Sequence, residues 1–281
     1  MVNSPLSSPY PPPLPRVPVP RIGGTAMPGG VHLSSGNYGT GSNLLLFLTG
    51  VSIMLVGAVG LALSYVALWG LEALTGLPLT ETLTGLAGTA DVPYYALIEV
   101  GVNLFVFTSF LLVMHLTPLA GYHGAEHKVV HCLEHFGILE TTLARQSPRA
   151  HRRCGTNLLS AFLPIPLIAV PLLNLPPQWG VGPAVLVVVL GLLFRAPVGT
   201  FLQNVFTTKE PTDRELAAAL NAGNLLLARW RRDPGRRLPL WRSLWVRGFP
   251  QMLLGVFVCM HLLTWIQQQL PYWLDFGHLL H

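Results

Sequence analysis

Long apolar runs, separated by polar and positively charged loops, dominate the hydrophobic pattern of the chain. A run of about 20 apolar residues is long enough to cross the hydrocarbon core of a bilayer as an α-helix. The apolar runs cover residues 44–74, 93–116, 158–175, 181–205 and 249–270. The pattern therefore predicts an all-α fold: a polytopic membrane helical bundle of about five transmembrane helices with cytoplasmic helical loops.

Prolines distinguish the third run from the others. Pro164, Pro166 and Pro171 interrupt it. Because proline lacks a backbone donor and its ring clashes with the preceding turn, we expect this helix to be kinked, broken or partly re-entrant.

The apolar pattern divides the chain into three segments. Residues 1–42 form a Pro/Gly-rich N-terminal arm, and we expect Met1 to Arg21 to be extended or disordered because repeated prolines cannot form a helix. Residues 43–220 form the predicted membrane domain. Residues 221–281 are expected to combine a basic, Trp-rich interfacial segment with an additional C-terminal transmembrane helix.

The basic segment before the last run contains a helical stretch, ELAAALNAGNLLLARW, followed by an Arg- and Trp-rich part. This composition is typical of a helix that lies on anionic lipid headgroups. For Asp233 to Arg237, a solvated basic linker is the alternative.

Composition and charge support a membrane protein and give it an orientation. Hydrophobic residues make up 51% of the 281 residues and charged residues only 10%, too few to cover a soluble globule of this size. All but one of the 17 Lys and Arg residues fall on one side of the predicted bundle. Because positive loops are retained in the cytoplasm, we expect a bacterial plasma (inner) membrane protein with a cytoplasmic N-terminus and an external C-terminus. The net charge of +5 accompanies no nucleic-acid-binding motif, so the expected partner is the lipid bilayer and not nucleic acid.

A stripe of polar side chains follows the second run, within a helix-forming segment that ends at a glycine, residues 121–137. At about 100° per residue, five of its side chains share one helix face: His123, Glu126, His127, His131 and Glu134. Imidazoles at positions i and i+4 can share one metal ion. The segment HGAEH also fits the H-x-x-E-H pattern of inverted zincins, in which the Glu activates water. The stripe therefore predicts a metal site on this helix.

Further candidate ligands lie before the third run, where HRRCGT contains His151 and Cys154. If both join the two helix histidines, His123 and His127, the site is closed and structural. If water replaces one ligand, with Glu126 or Glu134 beside it, the site is catalytic. The alternative without a metal is a salt-bridge network in which neighbouring arginines pair with the two carboxylates.

Polar residues inside the apolar runs form a separate group of candidates, because burial in hydrocarbon is costly. Glu99 and Arg195 are expected to pair with each other, and a proton or substrate path is the alternative. His115 and His261 are expected to be hydrogen-bonded packing residues, with axial ligation of a haem or chlorophyll as the alternative.

The chain resembles the DUF1385 (YqhQ-like) family of membrane proteins, described as predicted metal-dependent enzymes without an established reaction. The resemblance rests on YHGAEHK at 122–128, HRRCGT at 151–156, TTKEPTDRELAAAL at 207–220 and the Gly-rich IGGTAMPGGV at 22–31. The positions that match the family pattern are His123, Glu126, His127, Lys128, Glu134, His151, Cys154, Gly155, Thr156, Thr208, Glu210 and Pro211. The resemblance implies a site in the same cluster, and the chain from about residue 225 extends beyond the usual end of the family.

These interpretations predict a metal-dependent, zinc-type hydrolase that acts at the cytoplasmic membrane interface. A divalent metal, zinc by donor type, is its cofactor; His123, His127, His151 and Cys154 are the candidate ligands, and Glu126 and Glu134 the candidate catalytic carboxylates. The alternative is a non-catalytic scaffold or accessory subunit of a larger membrane complex, with other membrane protein subunits as partners and the cluster as a structural metal site or polar network.

Overall fold

The computed structural model describes residues 20–85 and 94–274, and within them the chain is mostly helical, as the sequence predicts. Residues 1–19, 86–93 and 275–281 lie outside the described residues, and so does most of the segment expected to be extended or disordered. The strands and α-helices in chain order are β1 (Gly23–Met27), β2 (Gly30–Ser34), α1 (Asn43–Thr75), α2 (Leu79–Thr84), α3 (Tyr95–Leu116), α4 (Pro118–Phe136), α5 (Thr141–Gln146), α6 (Gly155–Phe162), α7 (Val170–Leu172), α8 (Gly182–Leu193), α9 (Arg195–Leu202), α10 (Asp213–Arg232), α11 (Leu240–Val246) and α12 (Phe249–Leu274). Two π-helices, Ile165–Ala169 and Gln203–Thr207, and a 3₁₀ turn, Pro177–Trp179, connect some of them.

The predicted spans are confirmed as long apolar helices. Four helical stretches among the described residues are long and apolar enough to cross a membrane: Asn43–Thr75, Tyr95–Leu116, Gly155–Leu172 and Phe249–Gln269. A fifth consists of Gly182–Leu193 and Arg195–Thr207, bent by 70° at the break. The protein is therefore a helical bundle with four or five candidate membrane spans.

The third span is broken where its prolines lie. A π-helix, Ile165–Ala169, separates α6 from α7. In a regular α-helix the carbonyl of Leu167 would accept from residue 171, but Pro171 has no N–H. The side-chain amide of Asn103 on α3 donates to this carbonyl at 3.4 Å instead. A neighbouring helix thus satisfies a backbone group that proline leaves free, as membrane-embedded helices require.

The fourth span bends at Phe194, between α8 and α9. Pro197 lies one turn after the break, and its ring would clash with the carbonyl of Leu193 in a straight helix. The bend directs the second half, which ends in the π-helix Gln203–Thr207, towards the start of α4. There the backbone N–H of Lys209 donates to the carbonyl of Ala120 at 2.8 Å.

The first and last spans pack closely along each other through two glycines. A Cβ atom at Gly50 of α1 would lie 2.0 Å from the carbonyl oxygen of Met252. One at Gly255 of α12 would lie 2.0 Å from that of Phe47. Small residues at such crossings let helix backbones approach each other in a membrane. The C-terminal helix is therefore an integral part of the bundle.

A β-hairpin, which the sequence analysis did not predict, occupies part of the arm after Arg21. Strands β1 and β2 pair antiparallel, and Gly29, with φ of 83°, lies in the turn between them. The signal was present in Pro-Gly-Gly, residues 28–30, between two short runs, a typical turn pattern. Leu33 on β2 is fully buried, so the hairpin is part of a folded core.

This core lies where one end of each span meets the polar loops, and we call it the extramembrane core. It is built by β1, β2, α4, α5 and α10. Its buried apolar side chains include Leu33, Val129, Leu133, Leu216 and Leu226. Helix α4 is central to it. It begins with Pro118 in its first turn and ends at Gly137, which has a left-handed conformation, as helix starts and stops commonly do.

Helix α10 uses its apolar face differently from the prediction. A capping box between Thr212 and Glu215 starts the helix, and Leu216 and Leu226 are buried in the extramembrane core, so this face is not available to lipid. The short helix α11 does keep Trp241 and Trp245 exposed. An interfacial role therefore stays a prediction for α11.

Candidate metal centre

Helix α4 presents two imidazoles to one point beside the extramembrane core. The Nδ1 atom of His123 lies 2.8 Å from the carbonyl oxygen of Thr207, and that of His127 lies 2.5 Å from the carbonyl oxygen of Arg149. A carbonyl oxygen only accepts hydrogen bonds, so Nδ1 of each ring donates. Each neutral ring then has its lone pair on Nε2. This is the arrangement in which protein backbone orients histidine ligands of a metal.

The loop before α6 brings a thiol to the same point. Cys154 is the N-cap of α6, and its Sγ atom lies 3.4 Å from Nε2 of His123. The loop is held by two side-chain amides. Gln203 accepts from the backbone N–H of His151 at 2.7 Å, and Asn157 donates to the carbonyl of His151 at 3.1 Å. Residues of the third and fourth spans thus position the thiol.

His123, His127 and Cys154 form a group that could hold a metal ion. One ligand atom from each residue lies within 4.8 Å of the other two. Around tetrahedral zinc, with Zn–N of about 2.0–2.1 Å and Zn–S of about 2.3 Å, ligand atoms are separated by about 3.3–3.8 Å. The 3.4 Å between Cys154 Sγ and His123 Nε2 falls in that range.

Burial favours the neutral form of the imidazoles near this group. It lowers the pKa values of His127, His131 and His151. Neutral imidazole is the form that binds metals. Burial also raises the pKa of the Cys154 thiol, so the thiolate depends on a bound cation for its stability.

Glu126 is a buried carboxyl group beside the three ligand atoms. Its Oε2 atom lies 4.0 Å from His123 Nε2. Desolvation raises its pKa to about 7, although the positive charge of a protonated His123 would lower it. Strand β1 approaches closely: a Cβ atom at Gly24 would lie 2.7 Å from both Cγ and Oε1 of Glu126. The hairpin therefore fixes the carboxyl group against the His123–His127–Cys154 group.

His151 and Glu134, the other two predicted site residues, bind each other. The backbone N–H of Arg153 donates to Nδ1 of His151, so Nε2 carries the proton of the neutral ring and donates to Glu134 at 3.1 Å. The Arg153 guanidinium also pairs with Glu134. The structure thus places both residues next to the His123–His127–Cys154 group but not in it. A ligand role for His151 and a catalytic role for Glu134 stay predictions.

Two further residues of α4, His131 and Lys128, bond to backbone carbonyls of the neighbouring loop. His131 lies 2.9 Å from the carbonyl oxygen of Ala150. The buried Lys128 ammonium donates to the carbonyls of Arg145 and Ser147 and pairs with Glu210 at 2.9 Å. These contacts attach the loop that follows α5 to α4.

A cavity of about 380 Å³ opens beside the candidate ligands. Its polar wall contains His123, Glu126, His127 and Cys154. Residues of the hairpin and of several spans form the remaining walls. The volume is in the range of small-molecule sites, roughly 300–1,000 Å³.

The polar residues inside the spans are not members of this group. Glu99 accepts from the Asn174 amide at 3.3 Å, and the expected ion pair with Arg195 is not found in the described part of the chain. His115 and His261 each bond to a backbone carbonyl at 2.9 Å. These contacts agree with a packing role for both histidines.

Fold and site together define a polytopic helical membrane protein with a His₂Cys group that could hold a metal ion. A family profile described as "Protein of unknown function (DUF1385)" matches residues 47–196, more than half of the chain. The chain therefore belongs to the DUF1385 family. The matched range includes α4 and Cys154, whereas the motifs at 22–31 and 207–220 lie outside it. The family description names neither a metal nor a reaction, so the metal interpretation depends on the geometry.

The chain is also similar to the "Uncharacterized protein YqhQ" of Bacillus subtilis (strain 168), with 28% identity over 149 residues. The alignment covers 44% of this chain and 46% of that relative, so the chain matches less than half the length of the curated relative. No solved structure matches the chain.

Proposed function

We propose that the protein is a metal-dependent hydrolase of the zinc type, active where the membrane spans meet the cytoplasm. The observation that carries this proposal is the side-by-side arrangement of a three-ligand group and the buried carboxyl group of Glu126 on the wall of one cavity. Catalytic zinc sites commonly have three protein ligands and an open fourth position, whereas structural sites are closed by four.

The donor set supports zinc over calcium or magnesium. Two imidazole nitrogens and one thiolate are ligands that zinc binds well, while calcium and magnesium prefer carboxylate and carbonyl oxygens. The two backbone carbonyls that accept from Nδ1 of His123 and His127 would hold the rings in place for such an ion.

The chemistry of the proposed reaction is divided between the ion and Glu126. When bound, an ion of this type supplies a Lewis acid that polarises the scissile group and acidifies water. Glu126 accepts the proton that water loses as it attacks and returns it to the leaving group. Burial raises the pKa of this carboxyl group above its ordinary value, and this favours proton transfer in both directions near neutral pH.

One observation favours the alternative, an accessory subunit with a structural metal. The ring of His151 lies 5.9 Å from that of His127, centroid to centroid, so a modest rearrangement would bring a fourth ligand to the group and close it. In that case other membrane protein subunits are the expected partners, and Glu126 has no catalytic role.

Metal content tests the ligand set. We expect the full chain, purified in detergent without chelators, to contain about one zinc ion per chain, measured by inductively coupled plasma mass spectrometry. His123→Ala, His127→Ala and Cys154→Ala should each lose most of it. His131→Ala is the matched control, because His131 lies on the same helix face and bonds to a carbonyl outside the group. Equal zinc in all five proteins would overturn the metal site.

Glu126→Gln separates the enzyme from the structural alternative. This variant keeps the size of the side chain and removes the proton acceptor, so we expect unchanged zinc and a loss of hydrolysis of about a hundredfold or more. A panel of chromogenic carboxylic esters and phosphodiesters, both water-soluble and long-chain, is the probe. Zinc-loaded protein that hydrolyses none of the panel, or a Glu126→Gln protein as active as the wild type, would contradict the proposal.

A further inference from the structure

The cavity beside Glu126 has one polar wall and one apolar wall. Of the lining side chains that the spans contribute, Thr49 and Thr156 are polar and four are apolar. The four form the apolar wall and come from four different spans: Ile53 of α1, Met114 of α3, Leu159 of α6 and Met252 of α12. A water-soluble substrate would gain nothing from most of these side chains. A hydrocarbon chain would be stabilised by them in proportion to the apolar area that it buries.

The apolar wall lies at one end of the bundle. Met114 is in the last turn of α3 and Met252 is in the first turn of α12. Ile53 lies about 15 Å along α1 from its first residue, at 1.5 Å per residue, well inside the apolar run. The cavity therefore extends from the extramembrane core into the region where the spans enter the bilayer.

Two exposed side chains of this wall indicate how the cavity opens. Ile53 is 39% exposed and Leu159 is 55% exposed, although both line the cavity. Helix α1 packs against α3 and α12, whereas α6 packs against α8 and α9. Because α1 and α6 do not share these packing partners, we expect the cavity to open towards lipid between them.

We infer that the substrate is an amphiphile of the membrane, with a hydrolysable polar group and an acyl chain. The polar group lies against His123, Cys154 and Glu126, and the chain extends past Ile53 and Leu159 towards the bilayer. This inference rests on the proposed function for the reaction, but the binding of the amphiphile does not require that the bond be cleaved.

Photo-crosslinking of a lipid probe tests the binding. The full chain is reconstituted in phosphatidylcholine nanodiscs with a lysophospholipid that carries a diazirine in the middle of its acyl chain, and adducts are mapped by mass spectrometry. We expect adducts concentrated around Ile53 and Leu159, and about tenfold fewer of them when unlabelled lysophospholipid is added in excess or when Ile53→Trp fills the opening.

Leu63→Trp is the matched control, because Leu63 is an exposed residue of the same helix that does not line the cavity. It should leave the adduct pattern unchanged. Adducts spread evenly over the lipid-facing surface, or a yield near Ile53 that neither competitor nor Ile53→Trp reduces, would overturn the inference.

The same proteins distinguish this failure from a failure of the proposed function. If a protein that binds zinc and hydrolyses water-soluble probes gives no cavity adducts, the inference of an amphiphilic substrate is wrong and the proposed hydrolase stands. Cavity adducts in a protein that hydrolyses no probe would contradict the hydrolase and leave the lipid site in place.

Discussion

His123 and His127 differ from His131 in which ring nitrogen is left without a proton. The first two donate from Nδ1 to the carbonyls of Thr207 and Arg149, so Nε2, the atom furthest from the backbone, is free to bind. His131 places Nε2 near the carbonyl of Ala150 instead. The i, i+4 spacing predicts the first pair, but the selection between the histidines depends on carbonyls from distant parts of the chain.

Gly24→Ala is predicted to impair catalysis without removing a ligand. The new methyl group would lie 2.7 Å from Cγ and Oε1 of Glu126 and from Leu33, so the carboxyl group must move. We expect hydrolysis of the chromogenic probes to fall ten- to a hundredfold, roughly the effect of misplacing a catalytic group by about 1 Å, with zinc content unchanged. Steady-state rates and elemental analysis of the same preparation measure both.

Gly23→Ala is the control for this substitution, because a Cβ atom at Gly23 has nothing within 4 Å. It should behave as the wild type. A Gly24→Ala protein with full activity would show that the position of Glu126 does not matter, and the assignment of Glu126 as general base would be wrong. No sequence pattern predicts the contact between Gly24 and Glu126, because it joins a strand to a helix about a hundred residues away in the chain.

At the element scale, one π-helix links the fourth span to the candidate ligands. This π-helix is Gln203–Thr207. The side chain of Gln203 accepts from the backbone N–H of His151, and the carbonyl of Thr207 accepts from His123. Gln203 is fully buried and also donates to Asn157 at 3.0 Å. A π-turn is frequent at functional sites. Here it sets the distance between the loop with Cys154 and helix α4.

Gln203→Ala is predicted to weaken metal binding through this loop. The backbone N–H of His151 loses its acceptor, so the segment that carries Cys154 becomes less ordered. We expect zinc affinity, measured by competition with a chromogenic chelator, to fall by about tenfold, as removal of groups that support metal ligands commonly does. Asn204→Ala is the control because its side chain is exposed. Equal affinity of both variants would show that the loop holds Cys154 without Gln203.

Elements whose structure depends on residues within the same segment could be predicted from the sequence, whereas elements stabilised by distant parts of the chain could not. Apolar run lengths predict the candidate spans, and Pro164 and Pro171 predict the break in the third span, because both effects act within one helix. The hairpin β1–β2 was missed because its apolar residues are few and it is stabilised by packing on α4 and α10. Gln203 is a polar residue in an apolar run, and this was the sequence signal for its contact with the backbone of His151.

At the scale of the whole molecule, the extramembrane core lies at one end of the bundle because of how the chain connects the spans. The hairpin leads into α1, α3 leads into α4, and the loop with Cys154 leads into α6. The bent pair α8–α9 returns to the core at Thr207, and α12 starts from the segment after α10. The chain therefore reaches the core before the first, third and fifth spans and after the second and fourth.

This connectivity and the distribution of charge lead to one orientation. Basic residues are concentrated in the core and in the segment between α10 and α12, while the described part of the opposite loop contains Glu81 and no Lys or Arg. Positive loops are retained in the cytoplasm, so we expect the core and the His123–His127–Cys154 group inside the cell and the end of α12 outside. If the bent pair α8–α9 crosses the membrane, the bundle has five spans, so the core and the end of α12 lie on opposite sides of the membrane.

Cysteine labelling with a membrane-impermeant maleimide tests this orientation in intact cells of a bacterial host. We expect Glu81→Cys, in the short helix α2, to be labelled without permeabilisation, because this exposed position lies on the side expected to be external. Gly235→Cys, between α10 and α11, should react only after the membrane is permeabilised. The unsubstituted chain gives the background, since Cys132 and Cys259 are buried and Cys154 is on the same side as Gly235. The reverse pattern would place the core outside and exclude a cytoplasmic reaction, because the side of the membrane that holds the positive charge also holds His123 and His127.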